Sequence, residues 1–298
     1  MPFDPDAVRA ACARVAAAAR HVRIREDAIA DYARTLPPGG TPLDAGGRPV
    51  PGGLPDEHRA AGALQLNAIN FGSGWFPTLN KEPGMSGFRT VEARFKRRGP
   101  WSAEELRALD TPTVAEVFVQ DPEHELMALF ARALNELGEH VATRHDGSFA
   151  AVAAGGRVVP LAEELAELPM WRDVSPYHGE QVPFYKRAQI AAADCLPDAP
   201  DLDRLTIFAD NLVPHVLRID GVLELAPELV ARIDREELIE HDSPEEVEIR
   251  ACAVHAVELL VAAHGNTNAT AADHALWSRG GQPRYKAQPR HRARTTAY

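Results

Sequence analysis

Apolar side chains recur at three- and four-residue spacing from one end of this chain to the other, and that recurrence constrains the fold more than any other feature. The best-marked stretch opens with Ser243 as N-cap, Pro244 as the first helical residue and Glu246 completing a capping box. It runs to about His264, with Ile249, Cys252, Ala256, Leu259, Leu260 and Ala263 on an inward face. Residues 123–139 repeat the pattern through Leu126, Leu129, Phe130, Ala133, Leu134 and Leu137. Shorter helices are expected over 7–20, 25–35, 102–109, 161–168, 183–195 and 269–277, with a short pair at 203–210 and 214–219 around Pro214. Residues 60–70 fit a helix or a buried extended segment. Period-two runs are short, and strands do not alternate with helices. The expectation is a mainly α single domain over 1–298, with a small β-hairpin near Phe88 to Phe95 and an exposed Gly/Pro-rich loop at 37–55.

Charge narrows the function classes. Thirty-two Lys and Arg against 43 Asp and Glu leave a net charge of −11. Affinity for a long nucleic acid comes from neutralising phosphates, so such a partner is not expected. No apolar run reaches about 18 residues, so no membrane span is expected. The N-terminus lacks a basic region followed by an apolar stretch, and a signal peptide is not expected there. Cys12, Cys195 and Cys252 lie far apart without a CxxC pair, which fits three small buried side chains in a reduced, cytoplasmic compartment.

Several residues offer chemistry. His124-Glu125 starts like HExxH, but position 128 is Ala128. His140 and His145 are five apart with no acidic ligand at useful spacing, so no zinc site is expected. Lys186 shares a helical face with Ile190 and Ala193, which points to a partly buried charge needing a partner or to a lysine snorkelling past the helix edge. Asp210 follows the apolar run Leu205-Thr206-Ile207-Phe208-Ala209, so it either sits in a site or caps the helix beginning near Pro214. A Lys/Asp pair suits chemistry at a sugar C1′, where a carboxylate meets developing oxocarbenium charge. Asp273, in an apolar stretch ending at Trp277, either reads the N–H edge of a purine-like base or lies on a solvated face. Phe71 and Ser73 lie in a Gly-rich aromatic loop that stacks a ligand or plugs the core. Arg284, Lys286, Arg290, Arg292 and Arg294 form an acid-free tail, which holds a phosphate or is a frayed basic end.

Four motifs occur in order: Asn70-Phe71-Gly72-Ser73-Gly74-Trp75-Phe76-Pro77, Val182-Pro183-Phe184-Tyr185-Lys186-Arg187-Ala188-Gln189-Ile190, Phe208-Ala209-Asp210 with Val213-Pro214, and Glu246-Val247-Glu248-Ile249-Arg250-Ala251-Cys252. Together they resemble the queuosine salvage family of queuosine 5′-phosphate N-glycosylase/hydrolases, over about residue 8 to the C-terminus. The resemblance implies a helical fold distantly similar to helix-hairpin-helix DNA glycosylases. It also implies release of queuine from queuosine 5′-monophosphate, with no metal or redox cofactor. Carried over by motif, Asp210 and Lys186 are catalytic. Phe71 stacks on the base, with Asn70 and Ser73 beside it. Asp273, with Trp277, reads the base N–H groups, and Arg292, Arg294 and Tyr298 hold the phosphate. Some relatives carry Gln where this chain has His215, a departure at the position expected to help hold the base edge. The expected partner is thus a small nucleotide, bound by a monomer. The competing readings are a non-catalytic nucleoside-binding module and a base-excision glycosylase acting on DNA.

Overall fold

The structure, a computed structural model, describes residues 2–39 and 52–298; most of the Gly/Pro-rich loop expected at 37–55 lies outside them. Fifteen α-helices and four short strands occur among the described residues, so the mainly helical expectation holds. No described helix is long and apolar enough to cross a membrane. The described residues form two units, each discontinuous in sequence. One takes 2–39, 173–186 and 200–293; the other takes 52–172, 187–199 and 294–298.

The helix Pro244–His264 is the axis of the first unit. Ser243 accepts the Glu246 N–H at its start, and Gly265 ends it in the left-handed region at φ 72°. The helices Pro5–Ala18, Glu26–Ala33, Leu212–Ile219 and Ala269–Gly280 pack around it. It is buried almost all round, so it carries Glu246, Glu248 and Arg250 into the interior with its apolar residues. Glu248 Oε2 accepts the main-chain N–H groups of Arg20, His21 and Val22 at 2.9, 2.6 and 3.1 Å, and Oε1 accepts the Tyr177 hydroxyl. That cradle fixes the entry to strand Val22–Ile24, which pairs antiparallel with Leu223–Leu225.

The second unit is centred on the helix Glu125–Arg144, whose Leu126, Met127, Phe130, Leu134, Leu137 and Val141 are buried. It packs on Ala103–Ala108, Thr111–Val117 and Glu57–Ala68. Gly138 permits a close approach to Ala103–Ala108: a Cβ there would lie 2.6 Å from Leu106 Cβ. The capping box expected at Ser102 and Glu105 is present in both directions.

Three expectations change, and one open alternative is decided. Residues 88–95 are not a hairpin; they lie in the helix Gly87–Arg98, whose buried Thr90, Val91, Arg94 and Phe95 keep the helical period. The hairpin of this fold is Val174–Tyr177 with Glu180–Pro183, closed through His178 and Gly179, both at positive φ as a tight two-residue turn demands. Pro183 therefore ends a strand rather than starting a helix, and the helix begins at Lys186. Of the pair expected around Pro214, only Leu212–Ile219 forms an α-helix; the other member is a single 3₁₀ turn, Leu202–Arg204. Residues 205–209 are buried without interruption, a pattern with no solvent face for a surface helix to show. Residues 60–70, left between two readings above, are mostly the helix Glu57–Ala68, capped by Asp56.

Candidate active site

The first unit organises its buried charge around Arg250. The guanidinium reaches both oxygens of Asp173, at 2.9 and 2.7 Å, and donates to the Ala209 carbonyl at 3.0 Å. Glu246, one turn earlier on the helix, lies 3.7 Å away, and the Phe184 ring lies under the cation at 4.0 Å. Asp173 also receives the Lys186 main-chain N–H at 3.0 Å, while its own carbonyl accepts the N–H groups of Phe184 and Tyr185. Tyr185 is held at φ 51°, a left-handed conformation that a bulky residue adopts only where its surroundings enforce it. One ion pair thus anchors the residues just before Lys186 and the residue just before Asp210. Lys186 itself is buried.

Asp210 is half-buried at the N-terminus of the helix Leu212–Ile219. Its Oδ1 accepts the N–H groups of Leu212 and Val213 at 2.7 and 3.1 Å, so the capping role foreseen for it is present. Those bonds fix the carboxylate's orientation. Burial disfavours the charged form of the Arg290 guanidinium, and the Asp210 charge works against that shift.

His215 and His291 are both buried. Burial, aided by the Arg218 and Arg290 charges, pushes the His215 pKa down to about 4; burial likewise takes His291 to about 3. His215 Nε2–H donates to the Tyr285 carbonyl at 2.9 Å, which makes Nδ1 the acceptor nitrogen, and Nδ1 has no hydrogen-bond partner among the described residues. Asp273 is 6% exposed, against the solvated-face reading, and its Oδ1 accepts the Phe208 N–H at 2.9 Å. Trp277, one turn on, is half-buried. Arg292 donates to the Glu236 carbonyl and carboxylate, each at 3.3 Å.

The second unit holds the other expected residues. Phe71 is 1% exposed, edge-on to Phe130 at 5.2 Å and with the Arg187 guanidinium 4.8 Å from its ring centre. Asn70 donates to Asn67 Oδ1 at 3.0 Å. Ser73 is buried with no partner for its hydroxyl among the described residues. Gly72, at φ 110°, donates its N–H to the Tyr298 main-chain oxygen at 3.0 Å, and a Cβ there would press on Leu126 at 2.8 Å. Arg294 lies 3.6 Å from Glu125 and 5.8 Å from the Trp75 ring centre. Burial alternates along 291–298 and Tyr298 is 3% exposed, so the tail is packed rather than frayed.

The sequence alone points to Lys186 and Asp210 but gives Arg250 and Asp173 no role, and it offers Glu246 only as a helix cap and Arg290 only as part of the basic tail. The available signal was charge at helical positions that share the interior of 244–264; a wheel that sends every charge to solvent hides it.

A buried arginine thus holds the backbone next to Asp210, whose carboxylate is fixed by two main-chain N–H groups. Residues 90–298 match the model of the queuosine salvage protein family. The chain is 38% identical over 258 residues to the queuosine 5′-phosphate N-glycosylase/hydrolase of Sphaerobacter thermophilus, covering 79% of this chain and 80% of that protein. It is 31% identical over 213 residues to the protein of the same name from Dictyostelium discoideum, covering 66% of each chain. It is 34% identical over 146 residues to that of Mus musculus, covering 43% of this chain and 41% of that protein. This chain belongs to the queuosine salvage protein family.

Proposed function

We propose that this chain hydrolyses the N-glycosidic bond of queuosine 5′-monophosphate, adding water across the C1′–N bond to release queuine and ribose 5-phosphate. The carrying observation is family membership through relatives of that name, one of them matched over four-fifths of its length. The Asp210 geometry supplies the chemistry. Queuine is a 7-deazaguanine, with carbon where an ordinary purine has the ring nitrogen N7 that is protonated as the base departs. Catalysis then leans on the sugar side. Asp210, oriented by the two N–H bonds to Oδ1, meets the oxocarbenium charge at C1′ and positions water. Lys186 bonds a ribose hydroxyl.

For recognition, Asp273 and the acceptor Nδ1 of His215 take N–H groups of the base, with Trp277 alongside. In the second unit, Asn70, Phe71 and Ser73 are the proposed base-binding residues. The basic segment bearing Arg290, Arg292, Arg294 and Tyr298 supplies the 5′-phosphate with donors. We read the chain as one monomeric cytoplasmic domain, distantly related to helix-hairpin-helix DNA glycosylases, which also use a Lys and an Asp.

Incubation with queuosine 5′-monophosphate, followed by chromatography, tests this. Queuine release is expected, and Asp210→Asn should lower turnover by ~10²-fold or more while keeping the wild-type melting temperature within a few degrees. Binding without release would make the protein a nucleoside-binding module; turnover of Asp210→Asn within about threefold of wild type would remove Asp210 from the chemistry.

A further inference from the structure

His140 and His145 are five residues apart, and at about 100° per residue a continuous helix would point them roughly 140° from each other. The structure brings them together because the helix Glu125–Arg144 stops before the second one. His145 takes φ −133° as C-cap, and the chain then turns sharply through Asp146 and Gly147, both at positive φ. Glu164, on the helix Val158–Ala166, meets both imidazoles. Its Oε1 lies 2.7 Å from His140 Nε2 and 2.5 Å from His145 Nε2. The two rings are 5.5 Å apart, and one ligand atom from each of the three side chains falls within 4.8 Å of the others. Spacing along the chain finds no acid for this histidine pair; the fold supplies one from 19 residues beyond His145.

We propose that His140, His145 and Glu164 form a binding site for a late first-row divalent cation, zinc being the type, in the second unit. Two imidazole nitrogens and one carboxylate oxygen are a donor set for such ions, and three protein ligands leave a fourth position for water. Bonds of ~2.0–2.1 Å in a tetrahedron separate adjacent donors by about 3.3 Å. The nitrogen–oxygen separations of 2.5 and 2.7 Å therefore need to open by less than an ångström. His145, beyond the last helical residue, is the ligand free to make that adjustment. The side chains of His145 and Glu164 are 17% and 23% exposed, which gives the ion an entry path, while His140 is buried at 6% and fixes one corner. The ion would cross-link the end of one helix to another. None of the residues proposed to contact substrate is among its ligands.

The test uses the full chain after chelator treatment and dialysis, titrated calorimetrically with Zn²⁺. Co²⁺ serves as a spectroscopic probe of low-coordinate nitrogen and oxygen ligation. One Zn²⁺ per chain is expected, with a higher melting temperature and visible ligand-field bands from Co²⁺. His145→Ala and Glu164→Gln should each weaken Zn²⁺ binding by at least about tenfold, the scale on which even supporting hydrogen bonds matter to metal sites. His241→Ala, in a separate histidine–carboxylate group, should leave binding unchanged. His145 is at a helix end and partly exposed, so its variant is the one expected to stay folded should Glu164→Gln not. The absence of stoichiometric binding, or a folded His145→Ala that binds Zn²⁺ like wild type, would overturn the proposal and leave a hydrogen-bonded His–Glu–His cluster.

Discussion

The two long helices at the centres of the two units have nearly equal length and opposite contents. Glu125–Arg144 buries an apolar stripe and keeps most of its charges at the surface. Pro244–His264 is wrapped almost completely and takes two glutamates and an arginine inside with it. The first arrangement stabilises by burial, whose strength depends on area and shape. The second adds an ion pair whose desolvation cost offsets much of its attraction, so it is weak evidence for stability. What Arg250 does is positional. It ties Asp173, and through it the backbone of Lys186, and the Ala209 carbonyl into one network.

Variants in the two helices should therefore fail differently. Arg250→Met leaves Asp173 buried without its partner and should cost about 3–5 kcal/mol. Leu134→Ala, in the apolar helix, should cost a similar 2–5 kcal/mol through the cavity it opens. Denaturant unfolding measures both. Turnover per folded molecule separates them: it should fall sharply for Arg250→Met and stay near wild type for Leu134→Ala. Adding Asp173→Leu to Arg250→Met should recover stability without recovering turnover. Equal turnover in the Arg250 and Leu134 variants would erase the distinction between the helices.

Phe71 sharpens the same contrast inside the apolar unit. Its contacts with Phe130 and Arg187 are those of a packed ring. If packing is its main role, Phe71→Ala should cost about 3–5 kcal/mol of stability. If it stacks on the base, queuine affinity should fall by about 1–3 kcal/mol in the protein that remains folded. Melting temperature and queuine titration on one preparation weigh the two.

The charged unit should also carry a signature in acid. His215 titrates near 4 in the folded protein, against about 6.5 when unfolded, and His291 is displaced further in the same direction. Below pH ~6.5 the unfolded chain takes up protons that the folded chain refuses. Their contribution is complete above that pH and is lost as pH falls through 6.5 towards 4, by about 3 kcal/mol for His215. His215→Gln should flatten the melting temperature across that window. An unchanged acid limb would place the loss in other groups.

Much of this could be read before folding because its causes are local. Ser243 with Pro244 and Ser102 with Glu105 start helices where the sequence puts them, since a cap needs only the next three residues. Lys186 stood out for a local reason too, its apolar helical neighbours, and it is buried. Asp210 was legible as a cap, because it lies two residues before the N–H it accepts. The 88–95 segment misled because Phe88, Val91 and Phe95 serve a helix as readily as a short strand, and their neighbours decide between them.

The amino-acid order alone determined the helical class, the main helix starts, the motif residues and the net charge that sets a long nucleic acid apart from the expected partners. Tertiary structure decided which charges go inside. Asp173 and Arg250 are 77 residues apart, and Glu164 is 24 from His140 and 19 from His145. Helical periodicity reports one chain's own faces, over a turn or two. The partner that makes burying a charge tolerable comes from another element, and only packing brings it within the 3 Å at which a hydrogen bond replaces water.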